Sequence, residues 1–217
     1  MSGDGTNPAP DLPFAPAAER NKRPILDALR GRLPDRGRLL EIGAGTGQHA
    51  VFLAAHFPAL EWLPTEVPEQ LPGLRARVAA EGPANLLAPR GLDVCDTTWP
   101  QGPFEAVYSA NTAHIMPWAA VLSMLEGVGR CLAPGGVFLL YGPFMIDGRH
   151  NAPSNEAFHR ALRAEDPRRG LRDLAALESA AAHHHLRLEE RAAVPTNNFL
   201  LLFRREARHS NDGSATT

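Results

Sequence analysis

Apolar residues recur along this chain with two periods. From Glu19 to Leu33 the positions Ile25, Leu26, Leu29 and Leu33 follow helical spacing, and Pro24 fits that helix only near its first turn. The run 39–42 is short and continuously apolar apart from one acid, as in a buried strand. It meets a glycine cluster, after which Val51, Leu53, Ala54 and Phe57 resume helical spacing. The same unit repeats as a strand near 60–65, a helix near 73–81 and a strand near 87–92. Further strands are predicted at 106–109 and 137–141, separated by a helix over about 118–131 that stops at Pro134-Gly135-Gly136. A helix over about 173–183 follows. Strands at 187–193 and 199–205, joined by Pro195-Thr196-Asn197-Asn198, read as a terminal hairpin. This alternation predicts an α/β fold: a doubly wound, mostly parallel sheet finished by one antiparallel strand.

Composition narrows the picture. With 217 residues, 44% hydrophobic and 21% charged, the chain can bury one core, so a single domain is expected at 17–206. Residues 1–16 and 207–217 are rich in small, polar, Pro and Gly residues and read as loosely ordered ends. Lys and Arg number 22 against 24 Asp and Glu, with no block of like charge, so there is no nucleic-acid signature. The longest apolar stretches, 137–141 and 199–203, fall far short of the roughly 20 residues of a membrane-spanning helix. Two cysteines and no secretory segment near Met1 imply reduced thiols in the cytoplasm, with Cys95 and Cys131 as buried fillers. His183-His184-His185 does not make a metal site, because consecutive helical residues point about 100° apart. No metal is expected.

The candidate chemistry starts at LLEIGAGTG, 39–47. Gly43, Gly45 and Gly47, with Ala44 and Thr46 between them, leave the backbone bare where a strand turns into a helix. A dinucleotide fingerprint needs glycine where this chain has Gln48, which weakens a nicotinamide-dependent oxidoreductase. Glu41 favours a ligand carrying an ammonium group over one presenting a pyrophosphate. S-adenosylmethionine (SAM) has that ammonium and no phosphate. Glu66, just past the next strand, is placed to accept hydrogen bonds from both ribose hydroxyls, against the alternative of a solvated loop acid. Asp93 follows the third strand and can accept from an adenine amino group while Val94 donates its N–H, or it simply caps a turn.

After the fourth strand, in SANTAHIM, Asn111 is placed to hold the methionine end of SAM. His114 is the candidate general base, or else a packed histidine. Tyr141, ending the fifth strand, either orients a nucleophile or is a half-buried tyrosine tip. Asn151, Ser154 and Asn155 form a polar loop suited to substrate contact or to an ordinary turn.

These residues resemble the class I SAM-dependent methyltransferases, whose strand ends look like LLEIGAGTG, the Glu66 site and LDV at 92–94, with LAPGGVFLLYGPF at 132–144 also similar. More narrowly, AAERNKRPIL (17–26), SANTAHIMPW (109–118), YGPF (141–144) and TNNFLLLFRR (196–205) look like a bacterial and animal methyltransferase-like subfamily of undefined substrate. GRHNAPSN at 148–155 departs from it in having less aromatic character. The resemblance implies a seven-stranded sheet with SAM across the carboxyl ends of its first strands. It also implies that the helix carrying Arg20 and Asn21 folds over the cofactor as a lid, where a guanidinium can pair with a carboxylate. The function expected is methyl transfer to a small-molecule acceptor. A SAM-binding module without turnover is the alternative.

Overall fold

The computed structural model describes residues 12–207; the ends expected to be loose lie outside the described residues at 1–11 and 208–217. The chain runs α1 (Pro16–Leu29), β1 (Gly37–Ile42), α2 (Gln48–His56), β2 (Leu60–Glu66), α3 (Leu71–Glu81) and β3 (Arg90–Gly91). It continues through β4 (Phe104–Ala110), α4 (Trp118–Cys131), β5 (Leu132–Gly142), β6 (Phe144–Ile146), β7 (Arg149–His150) and α5 (Pro153–Glu165). It ends with β8 (Arg172–Asp173), α6 (Leu174–Ala182), β9 (Leu186–Val194) and β10 (Asn198–Arg205).

Seven strands form one sheet in the order β3-β2-β1-β4-β5-β10-β9. β1 pairs in parallel with β2 and β4, β4 with β5, and β10 alone runs antiparallel to both its neighbours. This is the doubly wound α/β sheet with one antiparallel strand that the alternation predicts. Strand periodicity builds both faces. Leu39, Trp62, Tyr108 and Leu139 pack under α1 and α2, while Leu40, Ile42, Val107 and Phe138 pack under α4 and α6. The reversal of strand order between β1 and β4 opens a crevice at the carboxyl ends, the place where doubly wound sheets take ligands.

Several elements differ from expectation. α1 begins at Pro16, three residues before the predicted Glu19, and carries Pro24 well inside it. Arg20, whose carbonyl loses its helical donor to that proline, is exposed, so solvent can satisfy it. The third strand shrinks from 87–92 to Arg90–Gly91, pairing only with Thr65 and Glu66. Pro89 has no N–H for a ladder, and Asn85 holds the preceding chain by donating to the carbonyls of Ala54, Phe57 and Leu60.

Ser154 and Asn155 are not in a loop: they open α5, with Asn151 just before it. The helix buries only Asn155 and Leu162, too thin a stripe for periodicity to reveal, although Pro at its start and Glu156 in its first turn suit a helix N-terminus. A small sheet, β7-β6-β8, fills the space between β5 and α6. Cys131 is buried, whereas Cys95 is exposed, contrary to expectation. Among the described residues no helix is long and apolar enough to cross a membrane.

Candidate functional site

A cavity of about 580 Å³ lies at the carboxyl ends of β1 to β4, within the roughly 300–1,000 Å³ typical of small-ligand sites. Its floor is the turn 43–46. Gly45 has φ +57, and the space a Cβ would take there is open, so a ligand can lie directly on the backbone. Gly47 caps α2 with φ +78, and a Cβ there would meet Leu74 at 2.8 Å and Arg77 at 3.1 Å, which is why no larger residue suits that turn. Arg77 in turn donates from Nε to the Thr46 carbonyl at 2.7 Å.

Glu66 lines the cavity from the end of β2. Its Oε2 accepts from the Gly45 N–H at 2.6 Å and its Oε1 from the Val67 N–H at 2.8 Å, so both oxygens are aimed before any ligand arrives. Asp93 and Val94 line the third strand's end; Asp93 also accepts from the Cys95 N–H at 2.9 Å, a turn role held together with the cavity position. Asn111 lines the end of β4 with φ +58, a conformation asparagine tolerates, and donates its N–H to the Tyr141 carbonyl at 2.9 Å. Gly43, Ala44, Gly45, Thr46, Glu66, Asp93, Val94 and Asn111 are thus brought together.

Glu41 is not among the lining residues. Strand alternation turns it inward beneath the glycine turn, where its Oε2 accepts from the Trp62 indole N–H at 2.6 Å. Burial pushes its carboxyl up to about 7, with the Trp62 hydrogen bond opposing and the Glu66 charge adding to the rise. Beside it the Tyr108 hydroxyl is buried without a partner, and burial together with the Glu41 charge holds its proton on. Asn21 and Tyr141 also stand off the cavity. Asn21 Oδ1 lies 2.7 Å from His49 Nε2, and the Tyr141 hydroxyl accepts from Asn198 at 2.9 Å, a network that fastens α1 to α2 and the sheet. Arg20 is exposed on α1 and is not a lining residue.

Asn151, Ser154 and Asn155 meet the β9–β10 turn rather than the cavity. Asn155 and Asn151 donate to the Asn197 carbonyl at 2.8 and 3.1 Å, and Ser154 accepts from the Asn197 amide at 3.4 Å. His114 is buried behind the rim residues Ile115 and Met116, its ring edge-on to Phe158 at 5.2 Å. Burial, with Arg172 nearby, lowers its pKa to about 4, so the ring is neutral throughout the neutral range. The rise in rate through an ordinary imidazole pKa that a solvated base predicts does not apply to this environment. The His114 Cε1–H resonance is expected to hold its neutral position from about pH 8 to about pH 5 and to move only near 4. Titration near 6.5 in an NMR pH series would show a solvated ring instead.

The resemblance implies a lid from the helix carrying Arg20 and Asn21; α1 does reach the cavity, but through Ala17 and Ala18 at its start and with Ala15 just before it, not through Arg20 or Asn21. This strap is held by Ala15 N–H donating to Gln48 Oε1 at 2.6 Å and by Arg77 Nη2 donating to the Pro13 carbonyl at 2.7 Å. Residues 12–15 are therefore tied down, in contrast to the loose end expected there. His49, one residue into α2 beyond Gln48, also lines the cavity; its place in the first turn after the glycines was the available signal.

A family model described as "Protein of unknown function (DUF938)" matches residues 12–205. The chain belongs to the DUF938 family. Among solved structures, the DUF938 chain is similar to the S-adenosylmethionine-dependent methyltransferase SibL, at 22% identity and a TM-score of 0.74, over 88% of this chain and 56% of that one. It is also similar to an O-methyltransferase family protein from Burkholderia thailandensis, at 16% identity and a TM-score of 0.76, over 89% of this chain and 58% of that one. A third is human N-acetylserotonin methyltransferase in complex with SAM, at 14% identity and a TM-score of 0.73, over 88% and 53%. The DUF938 chain spans a little over half the length of these neighbours, and at such identities the likeness is one of fold.

The cavity residues fit SAM on their own chemistry. An open glycine backbone, an acceptor pair on Glu66 and the Asp93 carboxylate with the Val94 N–H match a nucleoside, and among the described residues lining the cavity none is Lys or Arg to meet a pyrophosphate.

Proposed function

We propose that the chain is a SAM-dependent methyltransferase acting on a small-molecule acceptor. One observation carries this reading: the bare turn 43–46, the pre-aimed Glu66 carboxylate, the Asp93–Val94 end and Asn111 stand on one cavity at four successive strand ends, with Gly47 capping α2 off the lining. The fold shared with proteins described as SAM-dependent supports it. A bound sulfonium supplies an activated methyl group: an acceptor lone pair bonds to the methyl carbon as the C–S pair returns to sulfur, leaving a thioether and one proton to be released.

The chain's own part is binding and orientation. The turn and Glu66 hold the ribose, Asp93 and Val94 the adenine, and Asn111 the methionine end, beneath the strap of residues 15–18. Glu41 acts from below by supporting the turn, and Asn21 and Tyr141 by fixing α1. His114 is buried off the lining and packs on Phe158. The two thiols, both free, suit a reducing cytoplasm.

Cys95 supplies the test. It is exposed at the adenine end of the cavity, its thiol raised by partial burial and then by Asp93, whereas burial pushes Cys131 up to about 12 and hides it. Iodoacetamide should therefore label Cys95 alone. SAM or its demethylated product at about ten times its dissociation constant should slow that labelling roughly tenfold, and NAD should not. An unchanged labelling rate with SAM, or protection by NAD alone, would sink the assignment.

A further inference from the structure

The rim 112–117 gives Thr112, Ile115, Met116 and Pro117 to the cavity, and the loop that joins α5 to β8 holds it from outside. Gly170 donates its N–H to the His114 carbonyl at 2.9 Å. Arg172 donates from Nε to the Ala113 carbonyl at 2.9 Å and from Nη2 to the carbonyls of Met116 and Arg168. A guanidinium stays charged at every ordinary pH, so these ties do not titrate. One bond under the loop does. Leu171 donates its N–H to His159 Nδ1 on α5 at 3.2 Å, and because a backbone N–H can only donate, that bond exists only while Nδ1 carries no proton. Gly170 brings the loop down onto the ring: a Cβ there would meet His159 Cε1 at 3.1 Å and Arg163 Cγ at 3.3 Å.

The groups that act on this ring are all basic. His150 from β7 stands edge-on to it with ring centres 4.9 Å apart, Arg163 lies one turn further along α5, and Arg172 comes from β8. The acids at neighbouring positions are engaged elsewhere. Glu156 pairs with Arg160 at 3.1 Å, Glu165 with Arg169 at 3.4 Å and Asp166 with Arg168 at 2.8 Å, while Asp173 accepts from the N–H groups of Gly148 and Ala175. A proton on His159 therefore costs a hydrogen bond and meets only like charge. Burial first, and then His150, Arg163 and Arg172, lower its pKa from the ordinary value, so the ring is neutral at pH 7.

We propose, building on the methyltransferase reading, that His159 is a positioning residue for the cavity: its neutral Nδ1 locks the loop 170–172 against the rim, and protonation in mild acid releases the rim and weakens cofactor binding. The path is short. Asn111 and Thr112 on the cofactor side run directly into the segment 113–116 that the loop holds, so slack in the loop reaches the cofactor contacts. His159 itself touches no ligand; it acts through Leu171 and its neighbours in the loop.

The full chain, followed from pH 7 to pH 5, tests this. Calorimetry is expected to show SAM affinity falling through the His159 titration in wild type, by roughly fivefold more than in His159→Asn. Asparagine keeps an acceptor near the Nδ1 position and takes no proton. Glu41, which titrates at about 7, is common to both proteins and cancels in the comparison. His159→Phe has no acceptor and should bind SAM about fivefold more weakly than wild type already at pH 7. A histidine that only packs would give both variants the same loss at every pH. In NMR spectra the Ile115 methyl resonances should move with the His159 Cε1–H resonance in wild type and stand still in His159→Asn. Parallel pH profiles for wild type and His159→Asn, Ile115 methyls indifferent to the His159 titration, or a ring that takes no proton above pH 5 would overturn the lock. Ile115 methyls that follow His159 in a chain that fails to bind SAM would support the lock and overturn the methyltransferase reading instead.

Discussion

Alanine at Glu66 is expected to weaken SAM about 100-fold while the chain stays folded. Each hydrogen bond to a charged group contributes about 1.5–3 kcal/mol, and two ribose hydroxyls share this carboxylate, so a loss of about 3 kcal/mol is expected even after partial replacement by water. Part of the loss is indirect. Glu66 also accepts from the Gly45 N–H at 2.6 Å, so removing it frees the turn on which the ligand would rest. Calorimetry with SAM reads the affinity, and a thermal melt checks the fold. A folded Glu66→Ala protein that binds SAM as tightly as wild type would remove Glu66 from the site.

Glutamine at Glu41 is expected to stabilise the protein by an amount that grows as pH rises from about 4 to about 7 and is full above that. In the unfolded chain this carboxyl titrates near its ordinary value of about 4.3; in the folded chain burial pushes it up to about 7. Between those values the folded state holds a proton that the unfolded state releases. The group's contribution therefore falls as pH rises through that window and is fully unfavourable above 7, by about 3 kcal/mol. Glu41→Gln keeps the shape and an oxygen for the Trp62 indole but removes the charge. Its advantage should be near zero at about pH 4 and about 3 kcal/mol at about pH 8, roughly 10 °C in melting temperature for a chain of this size. A variant less stable than wild type at pH 8 would show that the carboxylate is compensated in the folded state.

Local rules made much of the site legible. A glycine at +57 with open space above it and another capping a helix at +78 are demands that only glycine meets easily, so 43–47 announces its backbone in the sequence. Glu66, Asp93 and Asn111 were legible because strand ends follow from where apolar runs stop, and in a doubly wound sheet those ends converge. Their convergence on one cavity is a property of the sheet order, which the alternation of strands and helices already constrains.

What escaped the sequence has physical causes of its own. Glu41 looked like a strand-end ligand, but alternation turned it into the core under Trp62, and one residue of register decides between the two. α5 was hidden because its buried stripe is only Asn155 and Leu162, and the asparagines read as a loop clamp the β9–β10 turn.

The sequence by itself determined the α/β class, the glycine turn and the line of acidic strand ends, because each depends on conformational limits and periodicities within a few residues. Only the tertiary structure decided that Ala15, Ala17 and Ala18 wall the cavity, that Gln48 anchors Ala15, that Cys95 faces solvent and that His114 is neutral. Those properties depend on burial and on partners 33 or 64 positions away, as for Ala15 with Gln48 and Pro13 with Arg77, and desolvation exists only once the chain has closed around the group.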